Sequence, residues 1–117
     1  MRRLGLLVVL ALAACGGEDY PDQPQDVARA FAASNDGSKC RFLSDGLIEQ
    51  LTEQRGEAGR EACEGNVERF DAPKKVSVRG YDVESTRAEV ELISDGAPSE
   101  IRLSLIKGRW RVVGLSE

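Results

Sequence analysis

The hydrophobic period of this chain changes once, at Pro73, and that change splits it into a helical block and a stranded block. Before Pro73 the apolar residues recur at helical spacing. Val27, Ala30, Phe31 and Ser34 fall at i, i+3, i+4 and i+7, a narrow stripe on a helix that begins near Pro24. Proline is tolerated there because its missing N–H lies in the first turn, and Asp26 sets negative charge near the positive end of the dipole. Asn35-Asp36-Gly37 stops the helix. Residues 38–43 read as a short helical turn. Ser44 or Asp45 caps a further helix that turns Leu47, Ile48 and Leu51 inward and ends near Gly56. A last helix is expected from about Gly59 to Phe70, with Cys63, Val67 and Phe70 on one face.

After Pro73 the period is 2. Val76 and Val78 point one way, and Tyr81 and Val83 continue that inward row only if Gly80 introduces a bulge. Ala88, Val90 and Leu92 alternate with Arg87, Glu89 and Glu91, as a half-buried antiparallel strand does. Ser94–Ser99 reads as a loop, the composition in which a binding site often lies. Ile101, Leu103 and Leu105 form the next inward row. Lys107-Gly108 turns the chain back into Arg109–Leu115. Helices first and then a four-stranded meander predict an α+β domain, with the helices packed on one face of a curved antiparallel sheet.

The N-terminus obeys neither period. Arg2 and Arg3 precede an apolar run from Leu4 to Ala14, and Leu12-Ala13-Ala14-Cys15 closes it before Gly16-Gly17-Glu18-Asp19. A basic start, a short apolar middle and a small-residue exit make a secretory signal. Eleven apolar residues fall short of the roughly 20 that a membrane-spanning helix needs. The exit resembles the lipobox of bacterial lipoproteins. That resemblance implies cleavage before Cys15, a diacylglyceryl group on its thiol, and a protein held on the extracytoplasmic side of the cell membrane. Two acyl chains suffice for stable anchoring where one does not. The expected organisation is a signal peptide at 1–14, a lipidated cysteine and tether at 15–23, and a single domain at 24–117.

Without Arg2 and Arg3 the chain carries 14 basic and 20 acidic residues, so clustered positive charge for nucleic acid is not expected. Once Cys15 is lipidated, Cys40 and Cys63 remain as an even pair in an exported chain, which reads as a disulfide. A redox pair would want Cys-x-x-Cys spacing. A zinc site would want four ligands, and the chain has no histidine. No metal and no cofactor is expected.

The helix-first order, Cys40 and Cys63 in the helical half, and the closing Lys107-Gly108-Arg109-Trp110-Arg111-Val112-Val113 hairpin resemble small bacterial lipoproteins with an NTF2-like cone fold over roughly residues 24–116. That resemblance implies a binding domain or an acid–base enzyme, since fold alone does not choose between them. Tyr81, Asp82 and Trp110 are the candidate pocket residues, with Glu84, Arg109 and Arg111 beside them. The alternation turns Asp82 to solvent and Tyr81 inward, and Trp110 reads as a core anchor under the helices. The expectation is a lipid-anchored binding or scaffold module without catalysis, serving a partner protein or small apolar ligand. The alternatives are an NTF2-like isomerase or dehydratase, and an envelope protein acting as a homodimer through its sheet.

Overall fold

The structure, a computed structural model, describes residues 20–67 and 73–116. The signal segment, Cys15, Gly16–Asp19 and Phe70 lie outside the described residues, as does the side chain of Val67. Helix α1 (Pro24–Ala33), a 3₁₀ segment η1 (Gly37–Phe42), α2 (Asp45–Thr52) and α3 (Gly56–Val67) precede four strands. These are β1 (Val76–Glu84), β2 (Arg87–Ser94), β3 (Ala97–Ile106) and β4 (Arg109–Ser116). They form one antiparallel sheet in the order β1-β2-β3-β4, the meander that the period change predicts.

Local chemistry sets the element ends. Pro24 opens α1 at its first turn. Lys39 closes its other end: Nζ donates to the carbonyls of Phe31 at 2.7 Å and Ser34 at 3.2 Å, placing a cation on the negative end of the dipole. The same Nζ sits 4.2 Å from the centre of the Phe31 ring, and burial lowers the pKa of Lys39. Ser44 caps α2 by accepting from Leu47 N at 3.1 Å, a contact typically worth about 1 kcal/mol. α3 begins at Gly56, three residues earlier than the spacing suggests. Gly59 lets it lie close to α2, because a Cβ there would meet the Gln54 carbonyl oxygen at 2.5 Å and Ile48 Cγ2 at 3.0 Å.

Between helices and sheet lies one core. Val27, Ala28 and Phe31 of α1 pack with Phe42, Leu43, Leu47 and Ile48 against Ala88, Val90, Leu92, Ile101, Leu103, Trp110 and Val112. Cys40 and Cys63 are both buried and joined as a disulfide, with their Cα atoms 6.2 Å apart, inside the range such bonds span. The bond ties η1 to α3. Arg60 reinforces it, donating to the Cys40 carbonyl at 3.2 Å and to Asp45 at 2.7 Å.

Three expectations are corrected. Leu51 is 58% exposed: α2 ends one residue later, and Glu53 turns the chain away at positive φ before anything covers that side chain. Ser94–Ser99 is not a loop. Asp95 and Gly96 both take positive φ, the two-residue hairpin turn that Asp-Gly favours, so β2 and β3 stay paired to Ser94↔Ala97. Asp95 then accepts from Lys74 N at 3.1 Å and Lys75 N at 2.8 Å, which fixes the entry to β1. Finally, Tyr20 is no tether residue. It is half-buried against the core.

Candidate functional site

The expected bulge is present: Val78 faces Leu92 and Gly80 faces Glu91, leaving Arg79 as the extra residue. Tyr81 therefore pairs with Val90 and Val83 with Ala88, both core-facing partners, so the inward direction is as predicted. Burial is not. Tyr81 is 56% and Val83 44% exposed, which corrects the reading of Tyr81 as core. β1 is an edge strand, and nothing among the described residues covers its second half. Inward there means toward solvent.

The candidate pocket residues do not converge. Asp82 lies on the opposite face from Tyr81 and is exposed, as is Glu84. Trp110 is buried on β4, the other edge of the sheet. Three strand spacings, roughly 14 Å at about 4.8 Å each, separate it from Tyr81. An open groove of about 410 Å³ runs along the β1–β2 hairpin, lined by Asp82, Glu84, Arg87 and Glu89, all solvated. A second, of about 320 Å³, lies on the outer face over Arg87, Glu89, Arg102 and Ser104. Among the described residues no group of three or more Cys, Asp or Glu side chains could hold a metal ion.

A side-chain constellation that no sequence pattern signals gathers around Tyr20. Tyr20 Oη donates to the Trp110 carbonyl oxygen, and its ring lies 5.4 Å from that of Phe42. Three guanidiniums surround that ring, Arg109 at 4.9 Å, Arg111 at 5.3 Å and Arg41 at 5.9 Å. Arg111 also donates to the Arg41 carbonyl oxygen. Beside them Ser44 N donates to the Val112 carbonyl at 2.9 Å, and Leu43 makes a parallel bridge with Val112. Together these contacts occupy the first half of the free edge of β4, at Trp110 and Val112, which would otherwise present unpaired backbone. The only hint in the sequence is an aromatic residue inside a polar segment. Its partners lie 21 to 91 positions away, where no periodicity connects them.

Burial raises the pKa of Tyr20, although Arg111, Arg109 and Arg41 pull it down. A folded-state pKa above the unfolded value means that the neutral phenol stabilises the fold at ordinary pH. That contribution is lost as pH rises through the folded-state pKa, above the usual 10.0. In a Tyr81→Phe protein, absorbance of the remaining tyrosinate should rise above that pH in step with falling stability. Tyr20→Phe should lower stability by about 1 kcal/mol at neutral pH. A Tyr20 that titrates at its ordinary value in the native protein would remove this latch.

No protein-family model matches the sequence, and no curated protein sequence does. Solved structures do. A Campylobacter jejuni protein provisionally described as an NTF2-like transpeptidase superposes with a TM-score of 0.53, covering 79% of this chain and 98% of its own at 14% identity. The fold is NTF2-like. A de novo designed protein with a curved β-sheet matches at 0.50, over 77% of this chain and 92% of its own, at 22% identity. An NTF2-like protein of unknown function from Silicibacter pomeroyi matches at 0.48 and 14% identity, covering 98% of this chain and 95% of its own. At these identities the likeness concerns the NTF2-like fold alone. The curvature comes from devices visible here, a bulge in β1 at Arg79 and a register shift between β3 and β4 at Arg102/Leu103.

Proposed function

We propose that this chain is a lipid-anchored, extracytoplasmic binding or scaffold module, working through surface contacts and not through acid–base chemistry. The observation that carries this reading is the docking of Tyr20 on the edge of β4. Five residue steps separate Cys15 from Tyr20, a reach of at most about 18 Å at 3.3–3.6 Å per residue. A lipid on Cys15 would then hold the NTF2-like domain close against the membrane, with the β4 edge nearest the anchor and the β1 edge away from it. The scatter of Tyr81, Asp82 and Trp110 supports the non-catalytic half of the reading. A general acid or base needs a positioned group at a shared site, and these three lie on two faces and two edges. The provisional activity of the Campylobacter jejuni protein is not carried across, since a likeness at 14% identity concerns the fold alone.

Cys15→Ser is the test. The wild-type protein should fractionate with membranes and carry the lipid mass on a chain beginning at Cys15. The serine variant should appear in the soluble fraction or persist as uncleaved precursor. A wild-type mature chain that starts elsewhere and lacks the lipid mass would end the reading.

A further inference from the structure

The two edges of the sheet are finished differently. β4 is covered along its first half, at Trp110 and Val112, by Tyr20 and the Leu43–Ser44 segment. β1 pairs with β2 on one side, and among the described residues no backbone hydrogen bond reaches its other side. Beside that open edge lie Tyr81 and Val83, exposed on the core-facing side of the sheet. An edge strand of nine residues with uncovered apolar side chains is a surface ready for strand addition.

We propose that the occupant is a second copy of the chain, with β1 pairing antiparallel to β1 about a two-fold axis through Tyr81. The bulge sets the register. With Tyr81 opposite Tyr81 of the other copy, Gly80 together with the extra residue Arg79 faces Asp82, Val78 faces Val83, and Ser77 faces Glu84. The core-facing row then reads Val78–Val83, Tyr81–Tyr81, Val83–Val78, an unbroken apolar strip. The outer row places Arg79 against Asp82 twice, once on each side of the axis. Arg79 already lies on that face, 4.0 Å from Glu91.

Neighbouring registers fail. A slip of one residue sets the apolar row against the charged row. Moving the axis to Asp82 puts the two Asp82 carboxylates face to face, and a parallel arrangement stacks Arg79, Asp82 and Glu84 each on its own like charge, both unfavourable. The arrangement is isologous and closed, because the two-fold uses up both β1 edges, so it stops at a dimer with the two β4 edges outermost.

Directly opposed residues in an antiparallel pair have Cα atoms about 4.5–5.5 Å apart, within disulfide range. Tyr81→Cys in the full-length chain, oxidised in whole lysates of expressing cells so that soluble and membrane-bound protein are both read, should therefore give a dimer band on a non-reducing gel that the wild type lacks. Leu51→Cys, at an equally exposed apolar position on α2, should not. Adding Asp82→Lys to Tyr81→Cys should cut the band at least fivefold, and adding Arg79→Glu to that pair should restore it. The proposal is overturned by no band from Tyr81→Cys, by an equal band from Leu51→Cys, or by a band indifferent to the Asp82→Lys charge reversal. Membrane release on Cys15→Ser is read separately and bears on the anchor alone.

Discussion

Replacing Cys63 with alanine is expected to lower the thermal midpoint by on the order of 10–20 °C, the larger of the effects available without touching the sheet. The bond joins positions 23 apart in sequence, and closing a loop of that size restricts the unfolded chain by about 3 kcal/mol in the chain-entropy model. For a domain of this length each kcal/mol moves the midpoint by roughly 4–8 °C. The native side adds to the loss, since Cys40 and Cys63 are both buried and the remaining thiol would sit in a core shaped for a bond. Arg60 keeps part of the η1–α3 junction through the Cys40 carbonyl, so the helices should stay associated at low temperature. Circular dichroism melts of wild type, Cys63→Ala and the double variant Cys40→Ala/Cys63→Ala test this. The two variants should melt close together, because each loses the same cross-link. A wild type that melts within about 2 °C of both would mean that the bond contributes little.

What could be read in advance was local in sequence. The change of period at Pro73 gives the two blocks, and the alternation of Ala88, Val90 and Leu92 gives a buried row that holds residue for residue. Lys107-Gly108 was legible because two positive-φ residues in succession make a hairpin turn. Asp95-Gly96 carried the same signal, but the polar residues around it obscured it. The bulge near Gly80 was legible as a requirement of the inward row, and the direction of Tyr81 followed from it. Its exposure did not follow, since alternation reports which face a side chain takes and not whether a helix lies over that face. Leu51 fails for the same reason. Tyr20 was illegible outright. It belongs to a polar segment, and its stabilisation comes from β4 and η1, contacts that exist only after the chain has folded. The candidate site shared that defect: Tyr81, Asp82 and Trp110 are joined by residue type, while strand order puts them on opposite faces and opposite edges.

Trp110→Ala should cost about 3–5 kcal/mol, the range for removing a buried aromatic side chain, whereas Tyr81→Ala should cost less than about 1 kcal/mol, what one exposed cross-strand pair contributes. The comparison is informative because the two residues are alike in chemistry and in setting. Both are aromatic, both point to the core-facing side, and each stands on an edge strand. They differ in cover. Trp110 is 8% exposed within the core cluster, and the chain around it is held by Tyr20 on its own carbonyl and by Ser44 on that of Val112. Removing the indole leaves a cavity that these backbone contacts keep from collapsing, which places the cost toward the upper end. Tyr81 has Val90 beside it and solvent above. Urea unfolding followed by far-ultraviolet circular dichroism gives both values, read at low micromolar protein so that pairing between copies does not enter. The midpoint should fall sharply for Trp110→Ala with little change in slope, since the surface exposed on unfolding is nearly the same. Equal losses at the two positions in the dilute protein would mean that the second half of β1 is covered, and with it the case for an open edge would fall.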